Sequence, residues 1–82
     1  MEARIKLAYK SVGEAKAVAE AVEPDNFKVP AGLRIKTTQK GRTVFTHIVC
    51  ETRLQTFMST IDDLLESVSV AENAFSIAKS QS

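Results

Sequence analysis

Three groups of side chains are candidates for chemistry, and each is incomplete. His47 is the only histidine of the 82 residues. An imidazole can serve as acid, base or metal ligand near neutral pH, but acid–base work needs a second titratable neighbour. His47 stands between Phe45 and Val49 in an apolar run, which favours a packed or interface histidine. Cys50 is the only cysteine, so no disulfide closes within the chain and no Cys/His pair offers metal ligation. Between Val49 and Glu51, at the end of a strand pattern, it reads as an inert thiol in a reducing compartment. Asp62, Asp63 and Glu66 form the one acidic cluster, with Asp62 and Glu66 a helical turn apart. Paired carboxylates hold a cation or move a proton only with further partners. Beside Leu64 and Leu65 they read as the solvated edge of a helix. The three glycines are scattered and make no phosphate loop. The sequence therefore predicts no catalytic residue, no metal and no cofactor; an enzyme is not expected.

Charge is more informative. The net charge of +1 hides an uneven distribution. Residues 26–50 hold Lys28, Arg34, Lys36, Lys40 and Arg42 and no acid, whereas residues 51–82 hold two bases against five acids. A locally basic segment attracts nucleic-acid phosphates even in a near-neutral chain. Arg34, Lys36, Lys40 and Arg42 are thus candidate nucleic-acid-contacting residues, with Arg4 and Lys6 joining them if strand parity allows. The competing explanation is a strand edge kept soluble by Lys and Arg.

These residues are positioned by five elements. Ala3, Ile5, Leu7 and Tyr9 alternate with Arg4, Lys6, Ala8 and Lys10, a strand with one face to a core. Ser11 and Glu14 have capping-box spacing and open a helix to about Val22, with Val12, Ala15, Val18, Ala19 and Val22 inward. Ala17 and Ala21 lie on its other side, where small side chains let another helix approach. Pro24, Asp25 and Asn26 form a helix-ending turn. Leu33–Gln39 and Thr43–Cys50 are two strands joined at Lys40-Gly41-Arg42, Gly41 supplying a positive φ. The third strand is β-branched and apolar on both faces, as suits a central strand or one covered by a partner. Phe45, His47 and Val49 share its second face. The last stretch, Thr52 to about Lys79, is one long amphipathic helix with Thr52 as N-cap. One flank carries Phe57, Leu64, Val68 and Phe75, and the other Leu54, Met58 and Leu65, a surplus for covering a small sheet.

The expected fold is α+β: a three-stranded antiparallel sheet with both helices on one face, in the order βαββα, as a single domain over residues 1–79 with a frayed tail at 80–82. So short a chain, without disulfide or metal, gains stability by oligomerising; a homodimer is expected, with Phe45, His47 and Val49 at its interface. No apolar run reaches the ~20 residues of a membrane span and no signal-peptide pattern opens the chain, so a soluble cytoplasmic protein is expected.

Length, element order and particular segments carry a resemblance to a known family. They are the Ala-rich first helix ending in Val22-Glu23-Pro24-Asp25-Asn26, the basic hairpin around Gly41, and Thr60-Ile61-Asp62-Asp63-Leu64-Leu65 in the long helix. Over nearly the whole chain these segments resemble the Pcc-type small subunit of the KEOPS complex, the archaeal and eukaryotic assembly that makes threonylcarbamoyl-adenosine in tRNA. The resemblance implies a non-enzymatic scaffold subunit that forms dimers, docks its helices on the threonylcarbamoyltransferase subunit, connects through it to a kinase-like ATPase, and helps engage tRNA. On this chain the docking residues would be Ala17 and Ala21 with Leu54, Met58 and Leu65. A different class remains open, a free-standing RNA- or nucleic-acid-binding domain linked to transcription. Against it, Pro30-Ala31-Gly32-Leu33 is no GXXG clamp and no aromatic pair lines adjacent strands for base stacking.

Overall fold

A computed structural model of the chain describes residues 1–23, 29 and 31–80. The elements run β1 (Glu2–Ala8), α1 (Val12–Ala21), β2 (Leu33–Lys40), β3 (Thr43–Cys50) and α2 (Leu54–Ser80). This is the expected βαββα order. The strands form one antiparallel sheet in the order β1-β3-β2. β3 is central, which accounts for its apolar, β-branched composition. β1 and β2 run parallel to each other at the two edges, so the connection carrying α1 crosses β3.

Alternation decides the two faces of the sheet. Val44, Thr46, Ile48 and Cys50 of β3 point inward and are buried. They meet Ala15, Val18, Ala19 and Val22 of α1 and Leu64 and Val68 of α2 in one core. Both helices therefore cover the same face. Two hydroxyls in this core are reconciled locally. Thr37 Oγ1 donates to the Val22 carbonyl at 3.0 Å and lies 3.3 Å from Thr46 Oγ1, tying the sheet to the end of α1. Tyr9 donates its hydroxyl to Glu72 at 2.8 Å and so ties the end of β1 to α2. Burial, then the Glu72 bond, push the Tyr9 phenol well above its ordinary range. With 27 residues at ~1.5 Å rise, α2 is about 40 Å long and sets the long dimension of a 44 × 20 × 17 Å molecule.

Several local expectations need correction. β1 ends at Ala8, not Lys10, although the Tyr9 N–H still reaches the Arg42 carbonyl at 2.8 Å. Ser11 does cap α1, its hydroxyl accepting the Glu14 N–H at 3.0 Å, but Val12 is 56% exposed and lies outside the core. Val12 is the first residue of the helix, displaced from the sheet-covering turns. Thr52 does not cap α2: the helix begins at Leu54 and its first carbonyl acceptor is Arg53, bonded by the Phe57 N–H at 3.1 Å. Thr52 Oγ1 instead sits 3.3 Å from Cys50 Sγ. Lys40 belongs to β2, paired with Thr43, so the hairpin turn is Gly41-Arg42 alone. Gly41 has φ 57° and Arg42 does not, the pattern of a two-residue turn with glycine in its first place. The Pro24-Asp25-Asn26 turn and the tail at 81–82 lie outside the described residues.

Candidate functional site

The sheet face away from the helices is open, and cross-strand register lays its side chains out in rows. Glu2, Val49 and Arg34 form one row; Arg4, His47 and Lys36 the next; Lys6, Phe45 and Thr38 the third; Ala8, Thr43 and Lys40 the last. Phe45, His47 and Val49 thus run down the middle, and the cations stand on the edge strands at either side. Phe45 is 37% exposed, among the large apolar side chains that the fold leaves open. Lys6 Nζ lies 5.9 Å from the Phe45 ring centroid, within cation–π range. Shallow depressions on this face are lined by Arg4, Lys6, Lys36, Thr38, Phe45 and His47 and, alongside, by Val29, Arg34 and Val49.

Two contacts shape its charge. Glu2 Oε2 lies 2.7 Å from His47 Nε2. The His47 hydrogen bond, and then its charge, hold the Glu2 carboxyl below its ordinary range. Arg34 makes a long, exposed ion pair with Glu51 at 3.6 Å. The face is otherwise cationic, so Arg4 and Lys6 do join the basic residues of β2. Arg42 stands apart in the turn, and Lys40 beside it at the far end of the face. The register also puts the anticipated interface residues and three of the four anticipated RNA contacts, Arg34, Lys36 and Lys40, on one surface. Sequence reading did not pair Glu2 with His47, which are 45 positions apart; only the β1–β3 register brings them together.

The other candidate surface lies on the helical layer, on the opposite side of the sheet. Leu54, Met58 and Leu65 are 59%, 57% and 45% exposed, so this flank of α2 is left uncovered among the described residues. Ala17 and Ala21 on α1 are half-buried rather than open. Asp62, Asp63 and Glu66 are exposed, and among the described residues no three His, Cys, Asp or Glu side chains gather as a metal site. Cys50 is buried, its Sγ near Thr52 Oγ1 and the Arg53 carbonyl.

No family model and no curated protein matches the chain. Among solved structures, a chain in the crystal structure of the binary complex Gon7-Pcc1 is similar, with a TM-score of 0.79, 9% sequence identity and 95% of each chain covered. The two chains share a fold. At that identity the likeness speaks for architecture, and it agrees with the Pcc-type resemblance carried by the sequence. No helix among the described residues is long and apolar enough to cross a membrane.

Proposed function

We propose that this chain is a non-catalytic scaffold subunit of a KEOPS-type assembly. The observation that carries the proposal is the end-to-end likeness to a chain of the Gon7-Pcc1 complex, 95% of each chain at a TM-score of 0.79. In this reading the threonylcarbamoyltransferase subunit docks on the helical layer, where Leu54, Met58 and Leu65 supply apolar area and Ala17 and Ala21 allow a helix to come close. A second copy pairs through the open sheet face, with Phe45, His47 and Val49 at the centre and charged edge-strand residues at the rim, the usual anatomy of a protein interface. The kinase-like ATPase joins through the transferase, in the cytoplasm, and no cofactor is required of this subunit.

The shared position of the pairing stripe and of Arg34 and Lys36 refines the tRNA role. Residues at the rim and at the hairpin end stay open when two faces stack, so Lys40 and Arg42, with Arg4 and Lys6 on the other edge, are left to meet phosphates. Such contacts act as charges, without base specificity. Affinity purification of the tagged chain from native extract tests the reading. Recovery of the transferase and the kinase-like ATPase is expected. Recovery of RNA alone would instead favour the free-standing RNA-binding domain.

A further inference from the structure

We infer that the open sheet face is a docking surface for single-stranded RNA, with bases on the Phe45 and His47 rings and phosphates on the flanking cations, and that RNA and a second copy exclude each other there. The inference goes beyond the scaffold reading, and takes from it only the second copy and the choice of RNA over DNA.

Phe45 and His47 stand two residues apart on the central strand and point away from the core, about 7 Å from one another along it. Phe45 is 37% exposed and the His47 side chain 39%. Both helices cover the other face, so neither ring lies under a helix. Glu2 bonds the His47 Nε2 at 2.7 Å and holds that ring, and Lys6 Nζ lies 5.9 Å from the Phe45 centroid. The strands on either side carry the charge. Arg4 and Lys6 stand on β1, and Arg34, Lys36 and Lys40 on β2, each one strand spacing, about 5 Å, from the row of rings. Glu2 and Glu51 are the acids that meet this face, one on His47 and one on Arg34. Arg4, Lys6, Lys36 and Lys40 are in no ion pair among the described residues.

That surplus of positive charge selects the occupant. A second copy lays five cations and two acids over five cations and two acids. A phosphate chain brings negative charge alone, and its counterions are released as the cations neutralise it. Aromatic faces on an open sheet take unpaired bases, whose π-faces stack whatever the base. A duplex keeps its bases stacked on one another and offers none. The partner that answers both features is a single strand, held by stacking and charge rather than by sequence. The face is short, eight residues at ~3.4 Å each, so the site takes about four nucleotides. A strand lying there covers Phe45, His47 and Val49, the side chains that a second copy needs. In the pair those rings are shut away, and only the rim and hairpin cations meet RNA.

Fluorescence anisotropy of a labelled five-nucleotide oligouridine, titrated with the full chain at several salt concentrations, tests this. Phe45→Leu keeps an apolar side chain but has no π-face, and Phe45 lies outside the core, so the fold is kept. It should weaken binding at least about fivefold, the low end for the loss of one stacked base. Lys6→Gln with Lys36→Gln should lower the salt slope by about 1.4, the share of two single-strand phosphate contacts. Lys16→Gln, on α1 in the other layer, should change neither. Sedimentation with saturating RNA should show one chain per complex. No binding, equal binding by wild type and Phe45→Leu, or RNA carried by a two-chain species overturns the inference and leaves pairing and transferase docking standing. A chain that stays single throughout the micromolar range without RNA overturns the pairing reading alone, and the anisotropy titration still decides RNA binding.

Discussion

Gly32 and Gly41 both hold positive φ, 83° and 57°, but their surroundings differ. A Cβ at Gly41 meets nothing, whereas one at Gly32 runs into Thr52 Cγ2, next to the bond from the Glu51 N–H to the Gly32 carbonyl. Gly41→Ala is therefore expected to cost about 1–2 kcal/mol, the backbone term alone. Gly32→Ala is expected to cost more, because Thr52 must move as well. Urea unfolding of the two variants checks the order; equal costs would mean that Thr52 gives way freely. Leu64 is 1% exposed and joins α2 to the core, so Leu64→Ala is expected to lose about 2–5 kcal/mol in the same measurement. Glu2 has a depressed folded-state pKa, so its contribution is present above the unfolded carboxylate value and is lost as pH falls through the folded one. Glu2→Gln should accordingly flatten the acid limb of the stability profile, a small effect for an exposed group.

At the scale of elements, the long helix does two jobs. Its Leu64 and Val68 side closes the core, and its Leu54, Met58 and Leu65 side is left open, an apolar strip too regular to be scatter. The periodicity shows the two flanks directly, since both follow from 100° per residue. The register of the helix against α1 does not show in the periodicity, which is why Ala17 and Ala21 read as open and are half-buried in the fold. Met58→Asp is expected to abolish transferase binding in a pull-down with its thermal melt unchanged, because Met58 is 57% exposed. Ala17→Arg should also abolish docking, with a lowered melting temperature as the mark of its partial burial. Wild-type binding by both variants would move the docking surface elsewhere.

For the whole molecule, the arrangement of charge matters more than its sum. A near-neutral chain presents a cationic sheet face on one side and the acids of α2 on the other layer. Replacing Lys36, Lys40 and Arg42 together with Ala should weaken tRNA binding by the assembled complex and flatten its salt dependence, since each lost phosphate contact removes about one unit of slope. Transferase docking should be unchanged, because these side chains lie away from the helical layer. Weak binding by the chain alone and tight binding by the complex is the expected pattern, as linked sites add their contacts. A salt titration of filter-bound tRNA with both complexes gives the answer; identical slopes would leave the cations as no more than a soluble edge.

The sequence alone determined what local periodicity encodes. Alternation in Thr43–Cys50 marked a strand apolar on both faces, the spacing Leu54, Met58, Leu65 marked a second helical flank, and the Ser11 cap set the start of α1. From these came the element order, the two-layer fold and the candidate surfaces. Tertiary structure alone decided what depends on pairing between distant segments. The β1-β3-β2 order placed Glu2 beside His47, put Arg4 in line with Lys36, and brought Phe45, His47 and Val49 and three of the four basic candidates, Arg34, Lys36 and Lys40, onto one face. It also decided the small mismatches at element ends, where Thr52 turned to Cys50 instead of capping α2. The reason is physical: periodicity reports which way a side chain points from its own backbone, whereas register and strand order are set by the summed packing of the core, which no short stretch of chain contains.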